Sequence, residues 1–191
     1  MAITAGDVEL WGLLQGLLPP RPRVLELGEA NWYMDLPAPE PCPWAAAKRF
    51  YRETLGYSEI VSVDLNGTDA ALPLDLNEPL PDAPPFDQPF DIVINTGTHE
   101  HLFDQRQAWQ TMHDQTAVGG IMVHSLPVAG WPDHGFYCYQ PCFLEDVERA
   151  NGYKVLALRV ARDVGKPGDT QMHLAWRKVR SGPFVVPRQG R

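Results

Sequence analysis

The 191-residue sequence predicts an α/β fold, a doubly wound and mostly parallel sheet with one antiparallel strand near the C-terminus. Short apolar runs alternate with stretches of helical period as far as residue 160, the pattern of a sheet covered by helices on both faces. Two last apolar runs, residues 153–160 and 170–179, are joined closely enough to predict an antiparallel pair. Polar residues collect just after three of the strand-like runs, and open α/β sheets bind ligands in the crevice at such strand ends.

Each element has its own local cause. Val8, Leu10, Trp11, Leu13, Leu14, Leu17 and Leu18 recur at helical spacing behind the capping-box pair Thr4 and Asp7, so residues 5–18 predict an amphipathic helix that Pro19-Pro20 ends. Its apolar face is expected to pack on the sheet; a second subunit or a membrane surface are the alternative uses. Residues 23–28 form the first strand and turn, with Val24, Leu25 and Leu27 apolar and Gly28 allowing the bend. Residues 33–43 are a proline-rich loop, and residues 44–55 a helix closed by Gly56. Residues 58–64 make the second strand, ending in Asp64, and Asn66-Gly67 turns the chain. Residues 71–76 are extended and lead into the proline-rich loop 77–89.

Ile92-Val93-Ile94 is too short for a helix and β-branched throughout, so it forms a buried strand that Asn95-Thr96-Gly97-Thr98 interrupts. Helical period returns over residues 102–117, with Ala108, Trp109 and Met112 at core spacing, and Val118-Gly119-Gly120 is expected to stop it. Residues 121–124 are the next strand. An aromatic, turn-rich loop follows, then a helix over 143–150 capped by Asn151-Gly152. Residues 1–180 are expected to form one domain and residues 181–191 a loose tail.

Composition narrows the function. A net charge of −8 argues against a nucleic-acid partner, which needs clustered Lys and Arg, and leaves a small-molecule partner. Cys42, Cys138 and Cys142 leave one thiol unpaired in any disulfide scheme, which fits a reducing, cytoplasmic location. They are too few for a zinc site, and no metal is assigned. No stretch approaches the roughly 20 apolar residues of a membrane span, so no membrane partner is expected. A homo-oligomer stays open.

Glu26 stands inside the first buried strand, where an acid is costly unless a partner meets it. A cationic ligand is one such partner, and an internal ion pair is the alternative. Asp64, ending the second strand, is placed as an acid that accepts hydrogen bonds from a ribose. A dinucleotide would need a G-x-G-x-x-G turn for its pyrophosphate. Here the turn is Gly28-Glu29-Ala30-Asn31-Trp32, whose carboxylate repels phosphate and suits a cofactor with a cationic end.

The segments VLELGEA at 24–30, VSVDLNG at 61–67, LDLNEPLP at 74–81, FDIVINTGTHEHL at 90–102 and VGGIMVH at 118–124 together resemble the class I S-adenosylmethionine-dependent methyltransferases. They occur in that family's order over about half of the chain. The resemblance implies a Rossmann-like, seven-stranded sheet, an S-adenosylmethionine cofactor and methyl transfer to a small-molecule acceptor. It further implies that the backbone at Glu26 and Gly28 lies near the methionine portion and Asp64 at the ribose; the acids Glu26 and Glu29 suit the cofactor's cationic end. Leu65, Asp75 and Leu76 would then lie at the adenine, and Asn95 and Thr96 on the sulfonium side. Ala30 and Trp32 depart from the family's glycines.

His99, His101, His124 and His134 fall at strand ends or in loops on the presumed active face. His124 and His134 are the candidate general bases, and His99 and His101 are placed toward the acceptor. Trp131, Phe136 and Tyr137 belong to the aromatic loop expected to hold a sugar, phenol, amine or carboxylate. The competing function is a non-catalytic module with this fold that binds a partner through Trp11 or the 131–139 loop. A metal-dependent hydrolase built on the histidines is a third expectation.

Overall fold

The computed structural model describes residues 2–32, 43–164 and 166–188. The expected proline-rich loop of residues 33–43 lies, up to residue 42, outside the described residues, as does Gly165.

Seven strands form the main sheet: β2 (Arg23–Leu27), β4 (Glu59–Asp64), β5 (Leu72–Pro73), β6 (Phe90–Thr96), β7 (Thr116–Ala129), β8 (Lys154–Arg162) and β9 (Thr170–Arg177). Their spatial order is β5-β4-β2-β6-β7-β9-β8. β5, β4, β2, β6 and β7 run parallel, and β9 lies antiparallel between β7 and β8. A separate two-stranded parallel pair joins β1 (Ala2–Ile3) to β3 (Asn31–Trp32). The helices are α1 (Ala5–Leu14), α2 (Pro43–Arg49, continued by a π-helical turn over Phe50–Thr54), α3 (Gln105–Gln115) and α4 (Pro141–Asn151).

The period of two along each strand divides the core. Leu25, Leu27, Val93 and Met122 face α3 and α4, meeting Trp109, Met112, Leu144 and Val147. Val24, Ile92, Ile94, Ile121 and Val123 face the other way, onto Leu10, Trp11 and Leu14 of α1 and Ala47 and Tyr51. The same alternation decides where polar strand residues go. Glu26, between Leu25 and Leu27, points to the α2 face; Ser125 points to the α1 face and His124 to the α3 face.

Helix α1 packs on the sheet, as its apolar stripe predicts. It stops at Leu14 rather than residue 18, leaving Leu13 and Leu17 54% and 43% exposed. Asp7 accepts from the Thr4 backbone N–H (2.8 Å) and the Thr4 hydroxyl (2.7 Å), and its other oxygen accepts from Ser125 Oγ beside His173. Asp7, Ser125 and His173 are all buried, so Asp7 both starts the helix and fastens it to β7 and β9. Asp7→Ala is expected to lower stability by about 3 kcal/mol in urea unfolding, because it leaves buried donors without their acceptor.

Other boundaries also differ from the sequence prediction. Val118-Gly119-Gly120 does not end a helix but lies inside β7, where Phe90 pairs with Thr116 yet Ile92 pairs with Ile121. The glycines form a bulge in the strand. Residues 181–188, expected as a loose tail, are tied back along α4. The Val185 N–H donates to Asn151 Oδ1 (2.8 Å), and Phe184 packs against the core.

Candidate functional site

A cleft of about 240 Å³ opens at the carboxyl ends of β2, β4 and β6, where the chain leaves the central strand in opposite directions. Six of the residues singled out in the sequence line it together: Gly28, Asp64, Leu65, Asp75, Leu76 and His101. Leu74, Asn77, Gly97, Thr98 and Leu102 complete the wall. A larger apolar cavity of about 440 Å³ lies between α3, α4 and residues 184–188. Among the described residues its lining pairs a single acid, Asp146, with Arg106 and Arg188, whereas the smaller cleft gathers Asp64 and Asp75 with the turns after β2 and β6, so the smaller cleft is the candidate site.

Local hydrogen bonds fix the cleft. Gly28 and Gly97 adopt φ of 79° and 81°, a left-handed conformation that lets the chain turn at the ends of β2 and β6. The Gly28 N–H donates to the Val63 carbonyl (2.6 Å), tying the turn after β2 to the end of β4. The Asp64 carboxylate accepts the Glu29 N–H at 2.8 Å and the Asn66 N–H at 3.0 Å. An ionised carboxylate has about four acceptor positions, so roughly half remain for a ligand. Asp75 Oδ1 accepts from the Asn77 backbone (2.9 Å) and side chain (2.8 Å), leaving its other oxygen facing out. Leu65 is 60% exposed, an apolar platform at the rim. Among the described residues the lining contains two acids and neither Lys nor Arg.

Other expected site residues serve the fold. Glu26 is fully buried, but its cation is internal: Lys48 Nζ donates to it, and Ser62 Oγ, its register partner, donates at 2.6 Å. It faces α2, away from the cleft. Glu29 is 8% exposed and accepts from the Thr68 backbone and hydroxyl (3.1 and 3.0 Å), holding the adjoining loop. Asn95 and Thr96 are buried; Asn95 Oδ1 accepts the Thr98 and His99 N–H groups (3.1 and 3.2 Å) and shapes the turn whose later residues, Gly97 and Thr98, reach the cleft. The polar run after β6 signalled this turn, but which of its residues face the ligand depends on a bend that sequence spacing does not specify.

His124 cannot act as an accessible base. It is fully buried, stacked on Trp109 (5.0 Å) and edge-on to Trp176 (5.1 Å), and burial holds its pKa well below the ordinary value. His99 does not share a cavity with His101; it lies edge-on to Trp109, and burial lowers its pKa to about 3. Protonation therefore favours the unfolded chain, whose histidines take up a proton near pH 6.5. Stability is expected to be full above that pH and to fall as pH drops toward 4, by up to about 1.4 kcal/mol per pH unit for each such histidine. Urea titrations across this range check it, and His99→Leu should flatten the acid limb.

No protein-family model and no curated protein matches the chain. Solved structures do. TehB from Haemophilus influenzae superposes with a TM-score of 0.62 at 15% identity over 92% of this chain, which spans 62% of TehB. The Burkholderia thailandensis 1,6-didemethyltoxoflavin-N1-methyltransferase, with 1,6-didemethyltoxoflavin and S-adenosylhomocysteine bound, gives 0.57 at 14% identity over 84% of this chain and 72% of its own. Further matches are methyltransferases bound to the same product. The chain has the class I methyltransferase fold. The [4+2]-cyclase SpnF has a similar fold (TM-score 0.60, 13% identity, 91% of this chain and 82% of its own), so methyltransferase architecture by itself does not name a reaction.

In this methyltransferase fold the turn after β6 continues as a 3₁₀ turn, His99–His101, which meets the aromatic loop. The Phe136 and Tyr137 N–H groups both donate to the Glu100 carbonyl (2.7 and 3.2 Å), and Tyr137 Oη donates to the Phe103 carbonyl (3.1 Å). Phe103 and Phe136, 74% and 66% exposed, stand edge to face at 6.0 Å next to the cleft wall. Trp131 is held by Asp169 and the Thr170 carbonyl (2.9 and 3.0 Å), with its ring 5.0 Å from that of His134. His101 and His134 approach to 4.9 Å. Trp11, by contrast, is buried between Phe50 and Tyr51 and offers no partner surface. Among the described residues no helix is long and apolar enough to cross a membrane.

Proposed function

We propose that this chain is an S-adenosylmethionine-dependent methyltransferase acting on a small-molecule acceptor. One observation carries it: Gly28, Asp64, Leu65 and Asp75 share a cleft at adjacent strand ends whose lining, among the described residues, is acidic and free of Lys and Arg. A phosphate-bearing dinucleotide meets the wrong charge there; a nucleoside with a cationic end meets the right one. When bound, S-adenosylmethionine supplies a methyl group on a positively charged sulfur. The spare acceptor positions of Asp64 suit ribose hydroxyls, the rim leucine suits an adenine face, and Asp75 suits an exocyclic amine. The fold supports the same reading, since several proteins that share it bind S-adenosylhomocysteine.

For methyl transfer the protein's main tasks are to hold donor and acceptor in line and to exclude water. The exposed pair Phe103 and Phe136, with Tyr137 and Trp131, provides an apolar and aromatic rim suited to a sugar or planar acceptor. His101 and His134 are the accessible imidazoles beside it. Titration calorimetry with S-adenosylmethionine tests the proposal; saturable binding is expected, and no heat at millimolar ligand would overturn it.

A second function, binding without catalysis, draws on the first turn, where Ala30 and Trp32 stand in place of glycines. Trp32 packs against Phe50 (5.0 Å) and is not part of the cleft wall, so this substitution does not close the site.

A further inference from the structure

Glu100 lies in the 3₁₀ turn with only 1% of its surface exposed, and its Oε2 has no hydrogen-bond partner among the described residues. Its Oε1 faces His134 Nε2 at 3.7 Å. His101, the next residue, brings a second imidazole, and ligand atoms of the three side chains all lie within 4.8 Å of one another. We propose that Glu100, His101 and His134 form a binding site for a divalent cation of the zinc or cobalt class at the mouth of the cleft.

The backbone is built to bring these three together. The Glu100 carbonyl accepts both the Phe136 and Tyr137 N–H groups, so the loop carrying His134 is pinned against the turn carrying Glu100 and His101. Gly135 permits that approach: a Cβ there would come within 2.8 Å of the Glu100 carbonyl oxygen. A buried carboxylate without a cation is costly. A bound cation removes that cost. The two imidazoles are exposed, so small side-chain rotations bring their nitrogens to the roughly 2.0–2.2 Å that such a metal requires.

Donor chemistry selects the metal class. Two imidazoles and one carboxylate suit zinc, cobalt or nickel, whereas magnesium and calcium prefer all-oxygen shells. Three protein ligands leave a coordination position open on the exposed side, available to a hydroxyl or carboxylate oxygen of a small molecule. His101 also lines the cofactor cleft, which places that open position beside it. The sequence hides this site because Glu100 lies 34 positions before His134 and an adjacent Glu-His pair has no recognised ligand spacing. Metal binding there does not depend on what the neighbouring cleft holds.

Cobalt(II) titration of chelator-treated protein, followed by visible absorption and calorimetry, tests the site. The wild-type chain is expected to bind a single equivalent at micromolar or lower Kd with d–d bands of a nitrogen- and oxygen-ligated ion. His134→Ala, which alters an exposed side chain, should weaken binding by about tenfold or more, and Glu100→Gln should do the same. Absence of cobalt binding, or unchanged affinity in both variants, would overturn the proposal. S-adenosylhomocysteine binding measured on the same samples separates failure of the metal site from failure of the cofactor assignment.

Discussion

Asp64→Ala is expected to weaken S-adenosylhomocysteine binding by about thirty- to a hundredfold, with only a modest loss of stability. The carboxylate is held at the tip of β4 by the Glu29 and Asn66 N–H groups, which leaves its remaining acceptor positions directed to the cleft. Two hydrogen bonds from a ribose to an ionised acceptor are together worth roughly 2–3 kcal/mol here, the source of that factor. Asp64→Asn keeps one acceptor oxygen and should lose less. Asp75→Ala should lose less still, because Asp75 is exposed and already engaged by Asn77. Calorimetric titration of the three variants gives the order; a wild-type affinity in Asp64→Ala would remove the residue from the site.

Lys48→Met is expected to destabilise the protein by about 3–5 kcal/mol in urea unfolding, the largest stability effect foreseen. Lys48 and Glu26 are both buried, on α2 and β2, and their pairing is what makes either charge tolerable inside the core. Removing the cation alone strands the carboxylate. Removing both, in Glu26→Leu with Lys48→Met, should recover most of the loss, since the buried charge disappears, although Ser62 loses its acceptor. The double variant should also retain S-adenosylhomocysteine affinity within about twofold, because distant and independent sites act separately. A large loss of binding there would return Glu26 to the cofactor site.

Much of this molecule was legible in its residues, and the exceptions share a cause. The alternation of apolar runs specified the strands, and turn-forming residues marked the strand ends at Gly28, Asp64 and Gly97, so the place of the cleft followed from the one-dimensional pattern. The face on which a polar residue lies was harder. Glu26 reads as an unpaired acid until the sheet is assembled, when its register with Ser62 and the position of α2 supply an internal cation. His124 reads as a strand-end histidine, yet β7 continues to Ala129 and carries it into an aromatic core. The Gly119-Gly120 bulge misled for the same reason: glycine ends a helix or kinks a strand equally well, and only pairing partners decide. The association of Glu100 with His134 rests on a long-range backbone contact that no local pattern announces.

The central claim is that acids at adjacent strand ends cradle a cationic, phosphate-free nucleoside. A crystal structure of the chain with S-adenosylhomocysteine tests it most directly. The account predicts the ligand in the cleft between Gly28 and Gly97, with its ribose hydroxyls bonded to Asp64 and its adenine against Leu65. Ligand bound elsewhere, or a cleft left empty at saturating concentration, would contradict it.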